Sequence, residues 1–331
     1  MGHMKKIFQQ RKWLLAFFVI AAFLIVLAAE QISSSHNASA SIEVAGSAVF
    51  APPPNIAEIK DNVTVLKNLT YGEKADSVLD IYHPENINES IPVILWIHGG
   101  GYIGGSKDSR QDYGMALAEA GYLVANINYT LAPEQLYPGP IFQANEAIAY
   151  LQQHAAQYGG DMKRLFIGGD SAGAQIASQV AAVISNAELA NTLEILPAIA
   201  ADHLSGALLM CGLFDMQTVR TTEFPNIDKF LAAYTGAEPF ESYQRIDELS
   251  TVNHITPAYP PVFITVGDAD PFFSQSEELV SILQSHQIAV DSVFFEGSNK
   301  GLKHEYQYAL DTVDAQETLE KTLNFLFVKS Q

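Results

Sequence analysis

Cysteine is almost missing: the 331 residues contain one, Cys211. No intrachain disulfide can form, which excludes a small disulfide-stapled fold. No Cys–His cluster has metal-ligand spacing, so no zinc site is expected. Cys211 lies in an apolar run (207–212) and reads as a buried, inert thiol. Basic residues are scarce too, 18 Lys and Arg against 37 Asp and Glu, for a formal net charge of −19. An acidic excess of this size disfavours a phosphate backbone, so nucleic acid is not an expected partner. Long apolar runs are limited to one, seventeen residues at 13–29, preceded by Lys5, Lys6, Arg11 and Lys12. A secretory h-region spans about 7–15 residues and a spanning helix about 17–25. Residues 1–30 therefore read as a signal peptide or a retained N-terminal membrane anchor, with 1–3 a cloning remnant. Membrane association would run through this segment. The basic flank stays inside, which places the rest of the chain outside the cytoplasm, whether secreted, periplasmic or anchored. Residues 31–55 are rich in Ser, Ala and Pro and read as a linker.

What is present in quantity is apolar residues, 48% of the chain. That is enough to bury one large core over 56–331. Two β-rich segments, 63–71 and 76–83, flank Gly72 and predict an antiparallel hairpin. After them strand-like and helix-like runs alternate. Strands are expected at 92–98, 122–128, 164–168, 205–211, 261–267 and 289–296. Helices are expected at 109–120, 141–157, 171–186, 274–286 and 304–327. Regular alternation predicts an α/β fold, a mostly parallel eight-stranded sheet flanked by helices. The stretch 213–259 breaks the rhythm and carries Phe214, Phe224, Phe230, Tyr234 and Phe240. It reads as a small cap inserted between two strands.

Three motifs carry chemistry. Gly169-Asp170-Ser171-Ala172-Gly173 sits between an apolar strand and an Ala-rich helix. This is the strand–turn–helix context of a G-x-S-x-G nucleophile elbow, which lifts a serine hydroxyl clear of the sheet. About seventy residues upstream, a buried strand ends in His98-Gly99-Gly100-Gly101. Backbone N–H groups in such a glycine run can meet the oxyanion of a tetrahedral intermediate; losing one donor costs about 3 kcal/mol of transition-state stabilisation. His98 itself reads as shaping that loop. A serine hydroxyl also needs a base and the base an orienting acid. One later strand ends in Gly267-Asp268-Ala269-Asp270-Pro271, and another is followed within ten residues by His304. Ser, Asp, His is the chain order of this fold. Asp270 is favoured as the acid over Asp268, and Asp215, at a third strand end, reads as structural. Tyr113 and Tyr129 read as packing residues.

These motifs, together with Gly104-Gly105-Ser106 and Tyr129-Thr130-Leu131-Ala132-Pro133-Glu134, resemble the α/β-hydrolase superfamily, in its hormone-sensitive-lipase-like bacterial carboxylesterase branch. The resemblance covers about 63–327. It implies Asp270, before Pro271, as the triad acid, and Gly100, Gly101 and Ala172 as oxyanion donors. It implies a serine carboxylesterase that cleaves short- to medium-chain acyl esters through an acyl-enzyme and needs no cofactor. Its partner is a small-molecule ester. Members often carry Gly-Phe after the catalytic histidine; here Glu305-Tyr306 stand there. Alternatives are an acetyl or feruloyl esterase acting on polysaccharide, a peptidase or amidase on the same fold, and a non-catalytic binding homologue.

Overall fold

The computed structural model describes residues 50–331. The expected signal or anchor at 1–30 and most of the linker lie outside the described residues. The end of that linker is corrected. Phe50 packs its ring 5.8 Å from Tyr308, and the Pro53 carbonyl accepts the Ile56 N–H at 3.0 Å. Residues 50–55 thus belong to the domain and lead directly into a short helix, α1 (Ile56–Asn62).

The hairpin forms as expected, β1 (Val63–Thr70) against β2 (Val78–Pro84). Then follow β3 (Ile91–Ile97), α2 (Gln111–Glu119), β4 (Leu123–Ile127), α3 (Gly139–His154), β5 (Gly160–Asp170) and α4 (Ala172–Ser185). A short α5 (Ala187–Thr192) leads to β6 (Leu204–Met210), and β7 (Val262–Val266), α8 (Phe273–Ser285), β8 (Val290–Phe294) and α9 (Val313–Lys329) complete the sheet's cover. Between β6 and β7 lie α6 (Ile227–Thr235), α7 (Ile246–Leu249) and three 3-10 turns. The eight strands are ordered β1-β2-β4-β3-β5-β6-β7-β8. From β4 onward every pairing is parallel.

The central strands β3, β4, β6 and β7 are nearly continuous apolar runs because both of their faces are covered. Alternation divides them between two cores. Val93, Leu95 and Ile97 of β3 join Leu165 and Ile167 of β5 beneath α3, α4 and α8. Ile94, Trp96 and Phe166 face the other way, onto α2 and α9. Helix α4 is buried along nearly its whole length, Ala172 to Ile184. Its Ala-rich sequence follows from that: small side chains let it lie close to β5 on one side and under the β6–β7 insertion on the other. The insertion is fastened there by polar bonds. Gln175 donates to the Leu249 carbonyl at 3.1 Å, Ser178 and Thr251 share a hydroxyl bond of 2.7 Å, and Tyr259 donates to the Ser178 carbonyl at 2.9 Å.

One expected helix is shorter than its sequence implied. The expected helix 304–327 begins only at Val313. Glu305 has φ +63°, which stops helical winding at the first step, and Thr312 caps the true start by accepting the Ala315 N–H. Residues 304–312 are instead a loop with one 3-10 turn at Tyr306–Tyr308.

Candidate active site

Parallel register brings the reactive segments together. Ile97 pairs with Gly169, Asp170 with Met210, and Met210 with Thr265. The carboxyl ends of β3, β5, β6 and β7 therefore stand side by side, where ligands bind in open α/β sheets. From them emerge the glycine run, Ser171, Cys211 and the Asp268–Asp270 loop.

Ser171 is buried with φ +51° and ψ −120°. This is the strained conformation that a nucleophile elbow imposes on a residue with a side chain. Its N–H is tied to the Met210 carbonyl at 2.9 Å. The turn survives because Gly173 has no side chain: a Cβ there would lie 2.1 Å from the Ile97 carbonyl oxygen and 2.5 Å from that of His98. Ala172 opens α4, so its N–H has no partner inside the helix. Gly101 and Ala172 line one small pocket with Ser171. Gly100, at φ +112°, stands one residue back and turns the run so that its carbonyl accepts the N–H of Gly104 at 3.0 Å. His98 holds its own loop, with Nδ1 2.7 Å from the Gly99 carbonyl and its ring stacked on Tyr129. Burial lowers its pKa to about 4, so it is neutral. Tyr129 and Tyr113 are packing residues, the latter between Trp96 and Tyr308.

The two candidate acids separate cleanly. Asp270 is buried, and its Oδ2 lies 2.8 Å from Nδ1 of His304. Its other oxygen accepts the Phe272 N–H at 2.9 Å. Asp268 never reaches the imidazole. It accepts the N–H groups of Lys300 at 2.9 Å, Gly301 at 3.2 Å and Leu302 at 2.6 Å. It therefore folds the loop that delivers His304. Asp215 likewise organises a turn, accepting from Gln217 and Thr218.

The His304 ring packs edge-on against Phe224 and Phe272, at 4.9 and 5.6 Å. Both phenylalanines line the pocket that holds Ser171. Burial disfavours the imidazolium, but Cys211 and the Asp270 carboxylate act the other way, and the net direction of the His304 pKa is up. Cys211 is pushed up by its own burial and remains a thiol at neutral pH, which leaves Asp270 as the acting charge. Cys211 is buried as its apolar run implied, yet it is no bystander. Its sulfur and the donor atoms of Asp270 and His304 all fall within 4.8 Å. Such a trio could hold a cation, but Asp270 and His304 here use their donor atoms on each other. No local pattern marks Cys211 as part of the site; it arrives by sheet register.

The remaining walls are Tyr102, Leu213, Ile227 and Phe230. Phe230, from α6, lies on Gly101, where a Cβ would come 2.8 Å from its ring. The pocket holds about 10 Å³, room for about one water.

An elbow serine and an Asp–His pair packed beside its aromatic pocket, set on this sheet, fit a carboxylic ester hydrolase of the α/β-hydrolase superfamily, in its hormone-sensitive-lipase-like branch. The BD-FAE family model matches residues 79–283, and the chain belongs to that family. It is 26% identical to carboxylesterase NlhH of Mycobacterium tuberculosis over 72% of this chain and 74% of that one. It is 25% identical to an acetyl esterase of Salmonella schwarzengrund over 77% of each. The fold matches the crystal structure of esterase B from Lactobacillus rhamnosis with TM-score 0.75 and 22% identity, over 92% of this chain and 95% of that one.

Proposed function

We propose that the protein hydrolyses short- to medium-chain acyl esters through an acyl-enzyme on Ser171. The Asp270–His304 contact of 2.8 Å, with the imidazole packed on Phe224 and Phe272 of the Ser171 pocket, carries this reading. Neutral His304 takes the Ser171 proton as the hydroxyl attacks the ester carbonyl. Asp270 holds the ring with Nδ1 protonated and supports the imidazolium that forms. The N–H groups of Gly101 and Ala172, with Gly100 behind them, receive the oxyanion. The imidazolium gives its proton to the leaving alcohol, and water then repeats the sequence to free the acid. No cofactor enters these steps.

The walls support the short acyl length that the resemblance implies. Leu213, Phe224, Ile227 and Phe230 come from the 213–259 segment, which acts as a cap and closes the small pocket beside Ser171. Acetate and butyrate ask less displacement of these walls than long chains, which require the cap to move. A p-nitrophenyl ester series on the wild type and Ser171→Ala tests the reading. Turnover falling from butyrate to decanoate, and lost by about 10⁴-fold or more in Ser171→Ala, is the expected result. Equal turnover of decanoate rejects the length assignment, and an active alanine variant rejects the mechanism. The basic, then apolar start of the chain supports action outside the cytoplasm; N-terminal sequencing of the mature protein tells a cleaved signal from a retained anchor.

A further inference from the structure

Behind the site, three buried charged residues connect its two halves. Asp170 precedes Ser171, Glu305 follows His304, and Arg110 lies between them. Each side chain is at most 3% exposed. Arg110 Nε and Nη2 donate to Asp170 Oδ2 at 3.2 and 2.8 Å. The same Nη2 stands 2.7 Å from Glu305 Oε1. One Nη2 hydrogen serves Asp170 and the other is not aligned on Glu305, so Glu305 Oε1 meets a charge without a hydrogen bond. Asp170 is saturated from other sides by Gly99 N–H at 3.1 Å, Tyr308 hydroxyl at 2.9 Å and Trp96 indole at 3.3 Å. The Arg110 guanidinium also lies 4.2 Å from the Tyr308 ring centre. One residue, Asp170, thus touches the glycine run, the elbow and the loop after His304.

Glu305 has φ +63°, a conformation that favours glycine. A buried carboxyl at such a position adds desolvation to backbone strain, so its side chain must supply what the backbone does not favour. We propose that Glu305 is a positioning residue: with Arg110 and Asp170 it braces the His304 loop against the nucleophile elbow. The brace deepens the Ser171–His304–Asp270 reading and rests on it.

The charge count favours a proton on Glu305. Two carboxylates facing one guanidinium in a dry site leave one negative charge uncompensated. Burial, followed by the neighbouring Asp170 charge, raises Glu305 to about 7 against the pull of Arg110 and His304. Asp170 is held down at about 2, where Arg110 and its hydrogen bonds outweigh burial. The other titratable groups facing the pair are His98, Tyr113, Tyr129, Tyr308 and Cys211; burial lowers His98 and raises the other four, so all stay neutral. The proton on Glu305 then bonds Asp170. Above pH 7 it leaves, and the two carboxylates repel across the joint between elbow and loop.

The test compares Glu305→Ala and Glu305→Gln with wild type, reading kcat and KM for p-nitrophenyl butyrate from pH 5.5 to 9 and the rate of fluorophosphonate labelling. Glu305→Ala is expected to lose about 10- to 100-fold in kcat with KM nearly unmoved, and to label more slowly. Glu305→Gln, which keeps the shape and cannot ionise, is expected to recover most of kcat at pH 6 and to lose the decline that wild type shows above pH 7. Wild-type kcat in Glu305→Ala, or the same alkaline decline in Glu305→Gln, overturns the brace while leaving Ser171 as nucleophile. Absent labelling of the wild type rejects the underlying reading instead.

Discussion

The elbow and the histidine loop reach the same end of the sheet by different physics. Ser171 is placed by backbone: β5 and β6 hold it by register, and Gly173 lets the turn close against β3. His304 is placed by side chains. Asp268 gathers the backbone of 300–302, Asp270 aims the ring, and Glu305 leans on Arg110. The elbow is therefore expected to fail through steric change, and the loop through loss of a carboxylate.

The largest expected effect sharpens this contrast within the loop. Asp270→Asn should lower kcat by about 10⁴-fold, because an amide favours the wrong imidazole tautomer, with little change in melting temperature. Asp268→Asn, two residues away, should lower kcat far less and instead raise the susceptibility of 296–303 to proteolysis. Equal kcat losses in the two variants would break the division between orienting acid and loop organiser.

The elbow has the opposite signature. Gly173→Ala places a methyl 2.1 Å from a backbone oxygen of β3, which cannot move without disturbing the sheet. A loss of about 4 kcal/mol or more in stability is expected, measured by urea unfolding. A stable, active Gly173→Ala would show that the elbow is looser than its register implies. The smallest effect concerns the cap. Phe230→Ala removes the ring lying on Gly101, and should raise decanoate turnover relative to butyrate by about 10-fold with acetate unchanged.

The same contrast decides what the sequence disclosed. All eight expected strands lie within about four residues of those observed, because the central ones, buried on both faces, are nearly continuous apolar runs. The elbow and the glycine run were legible because tight backbone approach demands glycine at fixed offsets. Asp270 and His304 were legible from chain order and from their position after strands. The loop around His304 was not: residues 304–312 have no apolar periodicity, and their conformation is set by bonds to distant partners. Arg110 lies sixty residues from Asp170 and carries no local mark. The departure at Glu305-Tyr306 was visible, but its meaning required the buried guanidinium beside it. Phe230 was one aromatic among several until α6 set it over Gly101.

pH separates the two regions as well. The raised His304 pKa places the rising limb of kcat/KM above pH 6.5, where the base becomes neutral. Glu305 acts with the opposite sign. Its folded-state pKa of about 7 exceeds the ordinary carboxyl value, so its stabilisation is complete below about pH 4.5 and is lost as pH rises through 7.

The account stands on Ser171 being acylated with His304 as its base. Mass mapping of the protein after fluorophosphonate treatment, in wild type and His304→Ala, tests it most directly. The predicted result is one adduct on the peptide containing Ser171, formed at least about 10³-fold more slowly without His304. An adduct elsewhere, or equal labelling rates in the two proteins, would contradict it.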